Sequence, residues 1–157
     1  MARRDILLTG FPIFVARKML ETIAQEEPEA FFRLLVRPDF LDSAARHLEE
    51  LGIERDRYQL LSGDVVALDL GLSGTEYLEL IANVTDIYHI ASIWYLGADK
   101  DQVWEVNVEG ARNVIDAAME MDNLARLNHF STAFVSGDRT GVIMEDELEE
   151  QQSFRDP

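Results

Sequence analysis

Between Asp5 and Val36 the sequence passes from a short apolar run to a helical period and back to a short apolar run. That is the order of a strand, a helix and a second strand joined in parallel. Ile6-Leu7-Leu8 is too short for a helix and leads directly into Thr9-Gly10, so it reads as a buried strand ending at a sharp turn. From Val15 onward, Val15, Met19 and Ile23, with Ala16, Leu20 and Ala24 beside them, recur at helical spacing. Arg17, Lys18, Glu21 and Gln25 fill the other face, Pro28 closes the helix, and Phe31 to Val36 supplies the second strand. In such a unit the free amides at the helix N-terminus face the strand ends and attract an anion. The turn Thr9-Gly10-Phe11-Pro12-Ile13-Phe14-Val15-Ala16 is therefore a candidate phosphate cradle.

A dinucleotide-binding turn would place glycine at positions 10, 13 and 16, where this chain has Gly10, Ile13 and Ala16. Alanine at the third position still lets helix pack on strand. Isoleucine at the second is harder to accommodate, because its branched side chain resists positive φ and fills space through which a pyrophosphate would approach. On these residues alone the turn is either a nucleotide site or a plain crossover turn.

The 157 residues suit one domain, and an apolar content of 47% is enough for a single core. Thirty acidic against fourteen basic residues give a formal net charge of −16, which argues against nonspecific binding to nucleic acid or anionic membrane. An anionic cofactor would then depend on local cations and backbone dipoles. With no cysteine, disulfides, thiolate metal sites and a cysteine nucleophile are excluded. The start Met-Ala-Arg-Arg precedes only a short apolar strand, so it reads as neither a secretory signal nor a membrane span, and a cytoplasmic home is the simplest expectation.

Beyond the second strand, Arg37 stands where an adenosine ribose would lie. An arginine there can accept a 2′-phosphate, or it is an ordinary solvated residue before a helix. Asp39 is a candidate N-cap for a helix through Leu51, with Phe40, Ala44, Leu48 and Leu51 on its apolar side and Gly52 as its stop. Tyr58 to Leu61 reads as a third strand, followed by Ser62-Gly63-Asp64-Val65, in which Asp64 either meets an adenine amino group or caps a turn. Ser73 and Glu76 have capping-box spacing and start a helix to about Asn83, and Val84 to Ile90 is a fourth strand ending at Ala91-Ser92. Lys100 to Met121 reads as one helix. Within it Asn107 and Gly110 run against propensity, so Gly110 should mark a close contact, and Asn107, if buried, should bond backbone near the fourth or fifth strand. Leu127 to Phe130 is a fifth strand running into Ser131-Thr132, where ligands of doubly wound sheets bind. The acidic stretch Glu145 to Gln152 reads as a solvated face or lid and lacks a calcium-loop pattern, so no metal is expected. His89 reads as a core or strand-end histidine.

Taken together, these segments resemble the extended short-chain dehydrogenase/reductases, in the branch that includes fatty acyl and thioester reductases. The resemblance rests on Leu8-Thr9-Gly10 with its turn, Leu35-Val36-Arg37, Gly63-Asp64-Val65, Leu70-Gly71-Leu72-Ser73, Tyr88-His89-Ile90-Ala91-Ser92, Val106-Asn107-Val108-Glu109-Gly110, and His129-Phe130-Ser131-Thr132 with Gly137, all in the family's order. It implies a Rossmann-like α/β fold, a doubly wound parallel sheet of about five strands with helices on both faces. It further implies that Gly10, Phe11, Pro12, Ile13, Phe14 and Val15 cradle a pyrophosphate. Arg37 would meet the 2′-phosphate of NADP, with NAD as the alternative, and Asp64 and Val65 would border the adenine. Ala91 and Ser92 would line the nicotinamide ribose, Asn107 would be the family's helix asparagine, and Thr132 would be the catalytic hydroxyl that bonds the substrate oxygen.

The family's tyrosine acid, four residues before a lysine, has no counterpart here. Tyr58, Tyr77, Tyr88 and Tyr95 all precede the fifth strand, and none has lysine four residues later. In the family that pair follows a segment like Phe154-Arg155-Asp156-Pro157, so the expectation is a single domain cut short of the pair and of the substrate-binding part, with no meaningful turnover alone. The expected partners are a dinucleotide, a small carbonyl or thioester substrate in a longer protein and, as an option, a second copy in a homodimer. Neither nucleic acid nor a membrane span is expected. The alternatives are a Rossmann-like sensor module without catalysis and a fragment of a sugar-nucleotide epimerase.

Overall fold

The computed structural model describes residues 3–95, 97–149 and 151–154. Five strands, β1 (Asp5–Thr9), β2 (Phe31–Val36), β3 (Tyr58–Ser62), β4 (Asp86–His89) and β5 (Arg126–His129), form one sheet in the order β3-β2-β1-β4-β5. Every neighbouring pair is parallel. The chain winds outward from β1 to β3, then returns to the other side of β1 for β4 and β5. The order reverses between β1 and β4, the place where open parallel sheets leave a crevice at their carboxyl ends.

Strand alternation sorts the core into two layers. Ile6 and Leu8 of β1 with Phe32, Leu34 and Val36 of β2 face helices α1 (Phe14–Glu26) and α2 (Leu41–Leu51), meeting Ala16, Leu20, Ile23, Ala44 and Leu48. Leu7, Leu35, Leu61 and Ile87 point the other way, against Leu80 of α3 (Gly74–Asn83) and Val114 and Ala117 of α5 (Gly110–Glu120). Both faces of the sheet are thus covered, the architecture expected from the sequence.

Local signals place most element ends. Ser73 and Glu76 make both arms of the capping box, and α2 stops at Gly52. Asp39 does not cap α2. It lies inside a single 3₁₀ turn, Pro38–Phe40, and its carboxylate turns back toward Arg37 at 3.4 Å. The proline nucleates that extra turn and carries Asp39 past the capping position. The expected helix from Lys100 to Met121 is α4 (Lys100–Trp104) joined to α5 through a π-helical segment, Glu105–Glu109, which contains Asn107.

At the amino ends of the strands, long-range ion pairs tie the sheet. Arg4 donates to both oxygens of Asp86, at 3.0 and 2.6 Å, and also pairs with Glu27. Arg33, nearly buried, forks onto Asp5 at 2.8 and 3.0 Å and reaches Gln59 at 2.9 Å. Burial alone would raise the Asp86 carboxyl, but the hydrogen bonds from Arg4 and Thr85 outweigh it and hold it below the usual carboxylate range. Residues 150 and 155–157, hence Glu150 of the acidic stretch and most of the Phe154-Arg155-Asp156-Pro157 segment, lie outside the described residues.

Candidate functional site

The crevice is assembled where β1 and β4 end. Gly10 has φ +83°, and a Cβ there would stand 2.7 Å from the backbone nitrogen of Ala91, so only glycine lets the two strand ends approach this closely. Thr9, fully buried, knits the same ends together, its Oγ1 accepting from the amides of Ile90 and Ala91, each at 3.1 Å. With those two bonds accepted, the Thr9 hydroxyl donates to His89 Nδ1 at 2.8 Å. That leaves the proton of neutral His89 on Nε2, which is buried and finds no partner among the described residues. Burial, helped by the nearby charge of His129, pushes the His89 pKa down to about 4. The register aligns Thr9, His89 and His129 across three strands, and the two imidazoles stack at 5.2 Å. His89 is the core histidine that the sequence suggested; its stack on His129 comes from strand register, which local pattern does not record.

The turn after Gly10 contains a cis Phe11–Pro12 peptide. Ile13 N donates to Gly10 O at 3.0 Å, and the first bond of α1 runs from Arg17 N to Ile13 O at 2.9 Å. Ile13 holds the N-cap position with φ −62° and ψ 158°, ordinary extended backbone. The objection that a branched residue resists positive φ therefore does not arise; the bulk of its half-exposed side chain remains. No side chain caps this helix and no acid stands in its first turn, so the amides of Phe14, Val15 and Ala16 remain for an outside acceptor. Phe14 and Val15 are exposed, whereas Phe11 is buried in the layer beneath α1, leaving only its backbone to the cradle.

On the β2 and β3 side, Arg37 is exposed at the end of β2. Its Nε lies 3.4 Å from Asp64, and its guanidinium sits 5.8 Å over the Phe40 ring. Asp64 Oδ1 accepts from Val66 N at 3.2 Å, so the acid caps its own turn as well as facing Arg37. Val65 follows Asp64 in the same turn. It is buried against Gly110, and its carbonyl accepts from Asn113 Nδ2 at 2.8 Å. On the β4 side, Ala91 and Ser92 follow the strand end half-buried, and the Ser92 hydroxyl donates to Ile90 O at 3.2 Å. Asn107 bonds both backbone polar groups of one residue, accepting from Ile93 N and donating to Ile93 O, each at 2.8 Å. That is the backbone near the fourth strand expected from propensity. Thr132, exposed past β5, accepts from Phe134 N at 3.1 Å and keeps its hydroxyl proton free to donate.

The structure thus gathers Gly10 to Val15, Ala91 and Ser92 around the switch between β1 and β4, with Arg37 and Asp64 beside them at the ends of β2 and β3. Asn113 was missed because an asparagine at a helix surface is unremarkable in a sequence; only its carbonyl partner reveals it. Among the described residues no group of three or more His, Cys, Asp or Glu is placed to hold a metal, and no helix is long and apolar enough to cross a membrane. A cradle of unshielded amides, an open glycine turn and a cation at the end of β2 fit a dinucleotide phosphate, with Ile13 standing where the glycine pattern would leave no side chain.

Comparison with known proteins agrees. Residues 8–156 match an NAD-binding family described as Male sterility protein. The chain is 27% identical to fatty acyl-CoA reductase 1 of Arabidopsis thaliana, over 92% of this chain and 34% of that protein. It is 28% identical to a putative fatty acyl-CoA reductase of Drosophila melanogaster, over 90% of this chain and 30% of that one. The chain therefore spans about a third of the length of these relatives. Among solved structures, the terminal R domain of the myxalamid PKS-NRPS biosynthetic pathway aligns with a TM-score of 0.77 at 26% identity, covering 95% of this chain and 40% of that one. The UDP-glucuronic acid 4-epimerase of Bacillus cereus, solved with NAD, shares the fold at a TM-score of 0.67 and 21% identity, covering 90% of this chain and 44% of the epimerase.

Proposed function

The chain belongs to this NAD-binding Male sterility protein family, and from that premise we propose that it is the cofactor-binding portion of a reductase that uses NADP and acts on carbonyl or thioester substrates. Arg37 is the observation that carries the choice of NADP. It stands at the end of β2, and its partners Asp39 and Asp64 lie at 3.4 Å in solvent-accessible positions. Such contacts are weak, so a 2′-phosphate, with its stronger charge-assisted bonds, displaces them. The printed names of the curated relatives, fatty acyl-CoA reductases, support the thioester class.

When bound, the dinucleotide supplies the hydride. The residues of this chain bind and orient. The amides of Phe14 to Ala16 and the Gly10 turn hold the pyrophosphate, Asp64 borders the adenine, and Ala91 and Ser92 lie along the nicotinamide ribose. Thr132 donates its free hydroxyl proton in a hydrogen bond to the substrate oxygen, and a cytoplasmic setting goes with the proposal. The test is a thermal shift with NADP and with NAD on the wild-type chain and Arg37→Ala. NADP is expected to stabilise the wild type more than NAD does, and the variant to lose that difference. Stabilisation by NAD alone would remove the role given to Arg37.

A further inference from the structure

Residues 63–72 form an arch that is held from outside by α5. Asp69, Leu70 and Gly71 occupy the left-handed region in succession, with φ 50°, 58° and 72°, unfavourable for the two that are not glycine. Leu70 is nonetheless almost fully buried in the layer under α3 and α5, and its carbonyl accepts from Asp64 N at 2.9 Å. Two contacts from α5 grip the start of this arch. Asn113 Nδ2 donates to Val65 O at 2.8 Å, and Val65 Cγ2 packs where a Cβ on Gly110 would lie only 2.8 Å away. The same arch carries Asp64, whose carboxylate faces Arg37.

We infer that Asn113, with Gly110 beneath it, is a positioning residue for the adenosine end of the site, holding the arch so that Asp64 and Arg37 stay in place. The inference rests on the dinucleotide reading for its ligand and on the arch alone for its geometry. Without the Asn113 amide the Val65 carbonyl loses its side-chain donor, and Asp69 and Leu70 are released toward ordinary dihedrals. Leu70 O then leaves Asp64 N, and the acid moves with it. Asn113 itself touches neither the cradle nor Arg37, so its effect is confined to one half of the cofactor.

The experiment compares the full chain with Asn113→Ala, with Asn113→Asp, which keeps size but removes the donor, and with Asn113→Gln. Amide hydrogen exchange reads the arch, and calorimetric titration with adenosine 2′,5′-bisphosphate and with nicotinamide mononucleotide reads the two halves of the site. The expected result for Asn113→Asp is exchange at least tenfold faster at the amides of Asp64 and Leu70, with amides of α1 and α2 unchanged. Affinity for adenosine 2′,5′-bisphosphate should weaken about tenfold, as loss of one partly buried hydrogen bond implies, at constant affinity for nicotinamide mononucleotide. Asn113→Gln is expected to recover part of both effects. Unchanged exchange at Asp64 and Leu70, or acceleration spread evenly over the whole sheet, would overturn the inference. Faster exchange in the arch at constant affinity for adenosine 2′,5′-bisphosphate would overturn its link to the site. A wild-type chain that takes up neither half overturns the dinucleotide reading instead, while the exchange rates still decide whether Asn113 holds the arch.

Discussion

At the amino ends of the strands, Arg4 holds Asp86 and Glu27, while Arg33 holds Asp5 and Gln59. At the carboxyl ends, the first-turn amides of α1 have no side-chain cap, His89 Nε2 has no partner among the described residues, and Arg37, over the Phe40 ring, meets Asp39 and Asp64 at 3.4 Å. The same polar chemistry is consumed internally at one end and left available at the other. Groups that satisfy one another support the fold, whereas the exposed amides and cation left over are free to meet a ligand and the buried His89 nitrogen is not, so a lesion at the two ends should be read by different instruments.

The sharpest separation comes from Asp5→Ala. It strands the nearly buried Arg33 guanidinium, and we expect a loss of about 3 kcal/mol in urea unfolding with no change in cofactor affinity. A change in affinity larger than the change in stability would break the comparison. Next in size is the pH response of His89. The folded protein keeps this ring neutral down to about pH 4, whereas an ordinary histidine protonates near 6.5. Stability from this group is therefore complete well above pH 6.5 and declines as pH falls through it, by about 1.6 kcal/mol between pH 6.5 and 5. Unfolding curves across that window should flatten in His89→Gln; an equal slope in both proteins would remove His89 as the cause.

Val15→Asp sharpens the contrast at the crevice. An acid in the first turn of α1 favours the helix by about 0.5 kcal/mol, yet it repels a pyrophosphate at the same amides. The expected outcome is unchanged or slightly higher stability together with about tenfold weaker NADP binding by calorimetry, the opposite pattern to Asp5→Ala. The smallest effect belongs to Ile13→Gly. Its backbone is already extended, so only side-chain bulk is relieved, and affinity should tighten by about threefold, or about 0.7 kcal/mol. An increase of a hundredfold would mean that isoleucine obstructs the cradle far more than its half-exposed position suggests.

The sequence carried the crossover units, the capping box at Ser73, the stop at Gly52 and the demand of Asn107 for backbone partners, because each depends on residues close in the chain. It misjudged Asp39, where Pro38 inserted a turn, and it overstated the conformational difficulty of Ile13, because the glycine pattern says nothing about the φ adopted when a different residue stands there. It could not show the pairing of Arg4 with Asp86, 82 residues away, nor the grip of Asn113 on Val65. Such contacts follow from strand register and helix placement, and no periodicity records them.

The strand order also has a consequence in time. β1 lies at the centre of the sheet, but its partner β4 is about eighty residues later in the chain, as the Thr9 to His89 bond spans 80 positions. During synthesis at roughly 5–20 residues per second, β1 waits about 4 to 16 s for this neighbour. Throughout that interval the β1 edge that will later carry β4 is open to any extended segment nearby, so chaperone dependence and co-translational aggregation should concentrate on β1 and not on β5.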